Sequence, residues 1–317
     1  MNVTERVIVE QFAYWEGATT AGLPTINEAI TVVVGCGTSY YLAQAIASAF
    51  NLCGRNALAV PGGEWARRAG AYLAKRDDIC VVALSRSGES TETVQAVDYS
   101  KKHGIRTIAL TCEKDSSIVA AANETVYLPT HGDEGVVMTS SASLMLIAGL
   151  RLAGTDISPS IAEKAQKPLA QLSAIDTGFI TGREHFVYLG AGPLYGIASE
   201  GALKLQEMSL SYAQTFHPME YRHGPISLID EKSLVVLLYS DDTASEEAML
   251  AQEIQDKGGK VIGLGGPGDI SIPLDETGLA RVVEVLPALQ IFGERIAEFK
   301  KLDTTAPRHL SKVVVLS

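Results

Sequence analysis

The sequence predicts an α/β protein that contains two tandem, doubly wound parallel sheets. Short apolar and β-branched runs alternate with helix-forming stretches, which is typical of a parallel sheet covered by helices on both faces. Several of these runs end in turns rich in glycine or serine, as strand-to-helix connections do. The pattern then recurs, because Gly190 follows Gly35 by 155 residues and Ser240 follows Ser85 by the same distance.

The first half of the chain is predicted to hold an N-terminal helical segment at 1–23 and a first domain at 24–155. Strands are predicted at 29–34, 78–84, 106–110 and 125–128 because these runs are apolar and β-branched. Helices are predicted at 3–15, 40–52, 91–103, 116–122 and 139–154, where helix-forming residues follow the turns.

The second half is predicted to begin with a charged helical connector at 156–180. A second domain at 181–288 repeats the first, with strands at 186–189, 234–239, 260–264 and 285–287 and a helix at 199–212. A C-terminal tail at 289–317 is predicted to contain a helix, the polar segment DTTAPRHLSK and an apolar strand.

Composition and charge exclude several classes of function. The 317 residues carry a formal net charge of −11, which disfavours a nucleic-acid partner on electrostatic grounds. No apolar run is long enough to span a bilayer, and the N-terminus lacks the basic start and apolar core of a signal peptide. The four cysteines form no CxxC pair, which is typical of a reducing cytoplasm. We therefore expect a cytoplasmic protein that binds neither nucleic acid nor membrane.

The loop SRSGES at 85–90 ends a predicted strand and opens a predicted helix. It offers the hydroxyls of Ser85, Ser87 and Ser90 beside a glycine and a helix N-terminus, which together can bind a phosphate. A simple helix N-cap would need fewer hydroxyls than this. The corresponding loop of the second repeat has Asp241 and Asp242, whose carboxylates would repel a phosphate. We therefore expect a single phosphate-binding loop, in the first repeat.

The segment at 200–225 places a row of polar side chains on an otherwise apolar helix. Glu200, Lys204, Glu207 and Ser211 are spaced to share one helical face. Such a row can be a solvated ladder of ion pairs, or an acid–base set if it faces a pocket. His223 follows in a rigid turn before Gly-Pro, and histidine is the residue type best suited to moving a proton in the cell.

No organic cofactor or metal is expected. The turn GCGTS at 35–39 lacks the third glycine of a dinucleotide-binding fingerprint, and no acidic residue closes the next strand. The histidines show no HxxxH spacing that would indicate a metal site. His103 is expected to cap the end of a helix, and His131 is expected to lie on a loop surface.

Five motifs resemble the tandem form of the sugar isomerase (SIS) domain family. They are GCGTSY at 35–40, SRSGES at 85–90, SEGALKLQE at 199–207, RHGP at 222–225 and DTTAPRHLSK at 303–312. The most similar members are the isomerase half of glucosamine-6-phosphate synthase and the stand-alone aminosugar-6-phosphate deaminases, including the galactosamine-6-phosphate deaminase/isomerase type. The resemblance implies flavodoxin-like domains and a sugar-phosphate substrate.

The resemblance also implies roles for individual residues. Glu207 would move a proton between C1 and C2, with Glu200 and Lys204 in support. His223 would open the sugar ring from the neighbouring subunit of a homodimer, and Lys312 would form a Schiff base with the ketose. The residues that would hold the phosphate are Thr38, Ser39, Ser85, Arg86, Ser87 and Ser90.

The chain departs from the synthase in two places. It begins Met1-Asn2 rather than with a glutaminase domain and its cysteine nucleophile, so we expect it not to take nitrogen from glutamine. The segment VMTSS at 137–141 replaces a lysine-bearing segment of the synthase and is closer to the deaminase type. We expect an aminosugar-6-phosphate deaminase/isomerase. The alternatives are an aldose–ketose phosphate isomerase without nitrogen chemistry, a related lyase that removes amino acids from phosphorylated sugar adducts, and a non-catalytic sugar-phosphate sensor.

Overall fold

Two five-stranded parallel sheets organise the protein in a computed structural model that describes residues 1–75 and 77–314. The strands of the first sheet are β1 (Ile30–Gly35), β2 (Asn56–Pro61), β3 (Ile79–Ser85), β4 (Arg106–Thr111) and β5 (Glu124–Tyr127). Those of the second sheet are β6 (His185–Leu189), β7 (Tyr212–Phe216), β8 (Ser233–Leu238), β9 (Lys260–Leu264) and β10 (Ile270–Ile272).

Both sheets have the same topology, which confirms the predicted tandem fold. The first sheet has the order β2-β1-β3-β4-β5, and the second, from its other edge, has β7-β6-β8-β9-β10. All neighbouring strands are parallel, and the central strands β3 and β8 are buried along their whole length. Burial on both faces explains why these strands are continuous apolar runs rather than alternating ones.

Thirteen helices cover the sheets among the described residues. They are α1 (Val3–Glu10), α2 (Trp15–Thr20), α3 (Thr38–Leu52), α4 (Gly62–Tyr72), α5 (Thr91–Lys102), α6 (Ser117–Ala121), α7 (Ser140–Leu152), α8 (Ile161–Ser173), α9 (Thr177–Ile180), α10 (Pro193–Ser209), α11 (Pro218–Tyr221), α12 (Ala244–Asp256) and α13 (Gly278–Phe299). Short 3-10 helices occupy Gln11–Tyr14 and Pro225–Leu228. In this part of the chain, no helix has both the length and the apolar character to cross a bilayer.

The chain forms two compact units that are discontinuous in sequence. The first-sheet unit consists of Val9–Pro159 and the described residues from His309 onward. The second-sheet unit consists of Met1–Ile8 and Ser160–Arg308. Each unit contains its own sheet and its own buried core.

In the second-sheet unit, α10 packs closely against α13 and β6. A side chain at Gly201 would place its Cβ 2.8 Å from Leu289 and 2.9 Å from Tyr188, and Gly293 on α13 lies beside the backbone of Lys204. These contacts hold α10 in one position, which matters because α10 bears three of the predicted catalytic residues. Helix α8, within the predicted connector, packs along α13 in the same unit.

Some sequence expectations differ from the structure. The strand predicted at 285–287 is wrong, because these residues lie inside the buried helix α13, and β10 completes the sheet instead. The periodicity of a short apolar run does not distinguish a buried strand from part of a buried helix. Elements α4 and β7 are not predicted by the sequence pattern. The predicted terminal strand falls mainly on residues 315–317, outside the described residues.

Candidate functional site

The phosphate-binding loop predicted at 85–90 connects β3 to α5 at the carboxyl edge of the first sheet. Ser85 Oγ accepts a hydrogen bond from the Gly88 amide at 3.1 Å, and Ser87 Oγ accepts one from the Glu89 amide at 3.2 Å. Gly88 has φ +66°, and a Cβ there would lie 2.1 Å from Ser116 Oγ. Ser90 is the N-cap residue of α5, but its hydroxyl makes no capping hydrogen bond. The loop thus has a fixed backbone and a hydroxyl that the helix does not use.

Thr38 and Ser39 lie at the first turn of α3, directly after β1. Strands β1 and β3 are neighbours, and the loops that follow them emerge on opposite sides of the point where the strand order reverses. Ligands of doubly wound sheets bind at this point. Both side chains are buried. Gly35 permits the tight turn, because a Cβ there would lie 2.6 Å from the Ser39 carbonyl carbon.

Arg86 is predicted to bind the substrate phosphate, but its guanidinium is engaged elsewhere. Its Nη1 donates to the Gly135 carbonyl at 2.9 Å, and its Nη2 donates to the Val136 carbonyl at 3.1 Å and the Lys312 carbonyl at 2.9 Å. The side chain is buried, with 6% of its residue surface exposed. In this structure Arg86 therefore links the loop to the C-terminal segment.

Lys312 also lies in the first-sheet unit, and its ammonium donates a hydrogen bond to a main-chain carbonyl. Its Nζ donates to the Glu134 carbonyl at 2.9 Å. The Glu134 side chain is itself buried, and its Oε1 accepts from the amide of Thr139 at 2.6 Å and that of Ser141 at 3.0 Å, at the start of α7. Sequence reasoning missed Glu134. An acidic residue a few positions before a serine-rich helix start is the signal that could have found it.

Helix α10 brings together Glu200, Lys204 and Glu207. Lys204 is fully buried, its Nζ lies 3.4 Å from Glu200 Oε1, and it also forms a short ion pair with Glu207 Oε2. Burial lowers the pKa of Lys204, but the charges of Glu200 and Glu207 outweigh this effect and raise the pKa above its ordinary value. The buried ion pairs favour the acid–base reading over a solvated ladder of ion pairs. Ser211 is not on this face, because α10 ends at Ser209 and Leu210 has φ +50°.

Glu207 reaches a pocket of about 260 Å³ within the second-sheet unit. Its side chain is 21% exposed, in contrast to the fully buried Glu200 and Lys204. The pocket is also lined by Asp303 and Arg308 of the DTTAPRHLSK motif. Glu207 is thus the member of the charged group that a small molecule can reach.

The start of this motif is anchored within the same unit. Thr304 is buried, its carbonyl accepts from Thr4 Oγ1 at 3.1 Å, and its hydroxyl accepts from Asn2 Nδ2 at 3.3 Å. Asn2 also donates to Glu294 Oε1 on α13 at 2.5 Å. The first residues of the chain therefore fix the segment that walls the Glu207 pocket.

His223 lies in a turn between α11 and the following 3-10 helix, and its side chain is exposed. The preceding Arg222 forms a two-pronged ion pair with Glu253, with Nε–Oε2 and Nη2–Oε1 distances of 3.0 Å. Gly224 has φ +126°, which a residue with a side chain rarely adopts. The turn is thus held in place while its imidazole faces outward.

In the second sheet, the loop that corresponds to 85–90 already holds an anion from its own helix. Glu247 on α12 is fully buried and accepts from the Ser240 amide at 2.8 Å, Ser240 Oγ at 3.0 Å and Thr243 Oγ1 at 3.0 Å. Burial raises the Glu247 pKa, although these hydrogen bonds oppose the shift. The donors that would receive a phosphate are thus occupied by a carboxylate.

Two other histidines are structural. His103 is the residue at the end of α5, and its Nδ1 lies 2.8 Å from the Tyr99 carbonyl oxygen, as expected for a capping role. The prediction that His131 lies on a loop surface is wrong. His131 is buried, with its Nε2 2.8 Å from Glu10 Oε2 and its ring packed against Tyr14. Among the described residues, no group of three histidine, cysteine or acidic side chains is arranged to hold a metal ion.

The predicted site residues therefore form two groups, one in each unit. The first-sheet unit holds those assigned to the phosphate and the Schiff base: Thr38, Ser39, Ser85, Arg86, Ser87, Ser90 and Lys312. The second-sheet unit holds those assigned to proton transfer and ring opening: Glu200, Lys204, Glu207 and His223.

Comparison with known proteins gives one family and several relatives. The SIS domain family matches residues 27–153 and 179–272. The glutamine–fructose-6-phosphate aminotransferase (isomerizing) of Leifsonia xyli is 30% identical over 272 residues, covering 74% of this chain and 44% of that protein. The Pyrobaculum aerophilum aminotransferase of the same description is 26% identical over 310 residues, covering 90% and 51%. The chain spans about half the length of these curated relatives.

Solved structures of similar fold extend over nearly the whole chain. Thermotoga maritima glucosamine-6-phosphate deaminase is 27% identical, with a TM-score of 0.84 over 99% of this chain and 100% of that chain. Escherichia coli tagatose-6-phosphate ketose/aldose isomerase has a TM-score of 0.79 over 95% and 93% at 23% identity, a likeness that concerns the fold alone.

Proposed function

The chain belongs to the SIS domain family, and on this basis we propose that it is an aminosugar-6-phosphate deaminase/isomerase. The observation that supports the proposal most is the Glu200–Lys204–Glu207 group on α10, of which Glu207 alone is open to a pocket. A carboxylate held beside a buried ammonium is suited to taking a proton from one carbon and returning it to the next.

The proposed reaction begins with the open-chain aldosamine. Glu207 removes the proton from C2, and the enolamine that results is protonated at C1. This gives a ketose imine at C2, whose hydrolysis by one water molecule releases ammonia and leaves a ketose 6-phosphate. Lys204 keeps its charge throughout, because its pKa is raised above the ordinary value for lysine, and its ammonium stays paired with Oε2 of Glu207.

The phosphate is assigned to the loop at 85–90 with the start of α3. The support is the position of the loop at the carboxyl edge of the first sheet, the hydroxyl of Ser90 that makes no capping bond, and the N-terminal end of α5. The corresponding loop of the second sheet is not assigned a phosphate, because Glu247 occupies its donors. We therefore expect one phosphate per chain.

Ring opening is assigned to His223 of a neighbouring subunit in a homodimer. The support is the exposure of its side chain on a turn whose position is fixed by the Arg222–Glu253 ion pair. A mixture of His223→Ala and Glu207→Gln chains tests this assignment. After subunit exchange, one site of each mixed dimer regains both residues, so about a quarter of wild-type activity is expected from two inactive variants. A mixture that stays inactive despite proven exchange would contradict the shared site.

A plain aldose–ketose phosphate isomerase is the second candidate. The same Glu207 and Lys204 arrangement serves C1–C2 proton transfer when C2 bears a hydroxyl instead of an amine. A sensor without turnover would need the phosphate loop but would have no use for an accessible carboxylate beside a buried ammonium.

The experiment that tests the proposal is an ammonia-release assay with glucosamine 6-phosphate and galactosamine 6-phosphate in separate reactions. Ammonia together with a ketose phosphate from either substrate supports the deaminase and identifies the epimer. Ketose phosphate formed only from a neutral aldose phosphate supports the isomerase. Binding of phosphosugars without any turnover supports the sensor. If adducts of phosphosugars with amino acids are the only substrates cleaved, the related lyase replaces all three.

We also propose that nitrogen leaves the substrate and is not supplied by glutamine. The control reaction contains fructose 6-phosphate and glutamine, from which no glucosamine 6-phosphate is expected. The same reaction with ammonium in place of glutamine tests whether the deamination runs in reverse.

A further inference from the structure

Arg86 connects three parts of the first-sheet unit that are far apart in sequence. Its guanidinium donates to the carbonyl oxygens of Gly135 and Val136, and to that of Lys312, which is 226 residues away. The C-terminal segment makes a second contact directly after this loop, at the start of α5, because the Val314 carbonyl accepts from the amide of Thr91 at 3.4 Å. The segment therefore passes from one end of the 85–90 loop to the other.

Lys312 is held through its main chain and through the ammonium at the end of its side chain. Its carbonyl oxygen accepts from Arg86 at 2.9 Å, while its ammonium donates to the Glu134 carbonyl at 2.9 Å. The Glu134 carboxylate in turn accepts from the Ser141 amide at 3.0 Å at the start of α7. Residues 134–136 thus receive both the guanidinium of Arg86 and the ammonium of Lys312.

The geometry of Arg86 is that of a clamp rather than of a phosphate ligand. Arginine binds a phosphate by directing two parallel N–H groups at its oxygens. Here both terminal nitrogens are directed at neutral carbonyl groups, and the side chain is 6% exposed. A buried cation held by three carbonyl dipoles fixes the main chain that bears those dipoles.

We propose that Arg86 is a positioning residue that holds Lys312 beside the phosphate loop and does not bind the phosphate through its guanidinium. The Schiff-base role of Lys312, which the family resemblance implies, rests on the proposed function, whereas the clamp itself does not. Without Arg86 the segment from His309 onward keeps its lysine but loses the contact that fixes the lysine main chain.

The chemistry that depends on this position is imine formation. The neutral amine of Lys312 condenses with the C2 carbonyl of an open-chain ketose phosphate, and one water molecule is released. Borohydride then delivers a hydride to the carbon–nitrogen double bond, and a proton from water completes a stable secondary amine. The adduct is measured by mass spectrometry of the intact protein and assigned to Lys312 in its peptide.

The decisive variant is Arg86→Lys, because lysine keeps the positive charge but cannot reach three carbonyl groups at once. We expect fructose 6-phosphate to bind within about twofold of wild type, since no phosphate contact is lost. We expect the rate of borohydride trapping at Lys312 to fall by about a hundredfold, because a small displacement of a reacting group can lower a reaction rate by that factor. Trypsin cleavage after Lys312 in the unliganded protein should be at least about tenfold faster, because a charge-assisted set of hydrogen bonds is gone.

The matched control is Arg55→Lys in the same unit. Arg55 also bridges two carbonyl groups, those of Leu152 at 3.1 Å and Ile26 at 2.8 Å, but it does not contact the C-terminal segment. This variant should leave phosphate binding, trapping and cleavage after Lys312 unchanged. Arg86→Met provides the second test of binding. Its affinity for fructose 6-phosphate should match that of Arg86→Lys, whereas a phosphate ligand would lose more on removal of the charge.

Each contrary result has its own meaning. Weak phosphate binding by Arg86→Met that Arg86→Lys restores would overturn the inference and make Arg86 a phosphate ligand. Unchanged cleavage after Lys312 in both variants would overturn the clamp. Absence of any trapped adduct in the wild-type protein would remove the assigned role of Lys312, and with it the purpose of the clamp, even if cleavage responds as expected.

Discussion

The ammonium nitrogen of Lys204 lies 3.4 Å from Oε1 of Glu200 one helical turn earlier, and neither side chain exposes any surface to solvent. Two carboxylates and one ammonium therefore sit on one helix, with only Glu207 reaching a pocket. Removing a charged group from water costs several kcal/mol unless a partner compensates for it. Removal of any one of the three charges is therefore expected to have a measurable effect, and each residue can be tested by its own substitution.

Replacement of Glu207 by glutamine should lower turnover strongly while leaving the fold and phosphate affinity intact. General acid–base catalysis by one side chain contributes about 10²–10⁴-fold, so kcat should fall by that range with little change in the affinity for fructose 6-phosphate. The measurement is steady-state kinetics beside isothermal titration. Gln206→Ala, on the exposed side of the same turn, is the matched control and should retain activity. Full turnover by Glu207→Gln on every accepted substrate would refute the mechanism.

Replacement of Lys204 by methionine should destabilise the protein strongly. The change takes the Lys204 ammonium away from the buried Glu200 carboxylate, and breaking a buried pair in this way costs about 3–5 kcal/mol. Urea unfolding measures the loss. The double variant Lys204→Met with Glu200→Gln should recover part of it, because the uncompensated charge is gone. Lys232→Met removes an ion pair with Glu184 in which both side chains are mostly exposed, and it should barely move the unfolding midpoint.

Replacement of Gly88 by alanine should weaken phosphosugar binding without affecting the groups on α10. The new Cβ would lie 2.1 Å from Ser116 Oγ at a backbone φ of +66°, so the 85–90 loop and the segment that carries Ser116 must move apart. Titration with fructose 6-phosphate measures the effect.

Gly104→Ala is the matched control, because φ there is +70° with no atom within 4 Å of the new Cβ. It should cost about 1–2 kcal/mol of stability from the backbone alone and leave phosphosugar affinity unchanged. Equal affinity losses in both variants would show that the loop geometry at Gly88 is not what binds the phosphate.

Replacement of Glu247 by glutamine should change how stability depends on pH. Burial raises the Glu247 pKa above the ordinary value of 4.5, so between 4.5 and the raised pKa the folded state binds more protons than the unfolded state. The contribution of Glu247 to stability is therefore fully present below pH 4.5 and is lost as pH rises through the folded pKa. Urea midpoints measured from pH 4 to 7 should thus fall more steeply for wild type than for Glu247→Gln. Parallel curves would contradict the assigned shift.

Much of the fold follows from the sequence because its signals are local. Apolar runs such as β3 and β8 are buried on both faces, and the near-constant spacing of their turns reveals the tandem arrangement before any tertiary contact is known. The run at 285–287 fails because a short apolar segment does not record whether it packs as a strand or as part of the long helix α13.

The candidate site is predicted in part for the same reason. The face shared by Glu200, Lys204 and Glu207 follows from helical spacing alone. The hydrogen bonds of Arg86 cannot be predicted from local sequence, because its third partner is 226 residues distant. The local sequence around an arginine that follows a strand does not show whether its guanidinium binds a ligand or a main-chain carbonyl. Ser211 escapes the helical pattern because Leu210 adopts a left-handed conformation that ends α10 one residue earlier.

The discontinuity of the two units has a consequence for biosynthesis. Residues Met1–Ile8 leave the ribosome long before Ser160–Arg308, the segment with which they form one unit. The first-sheet unit likewise waits for the chain from His309 onward, which is made after all of Ser160–Arg308 and includes the clamp partner Lys312. Neither unit can therefore be completed before the ribosome has translated the segment Ser160–Arg308, and a gene divided after Pro159 would separate each half from a piece of its own structure.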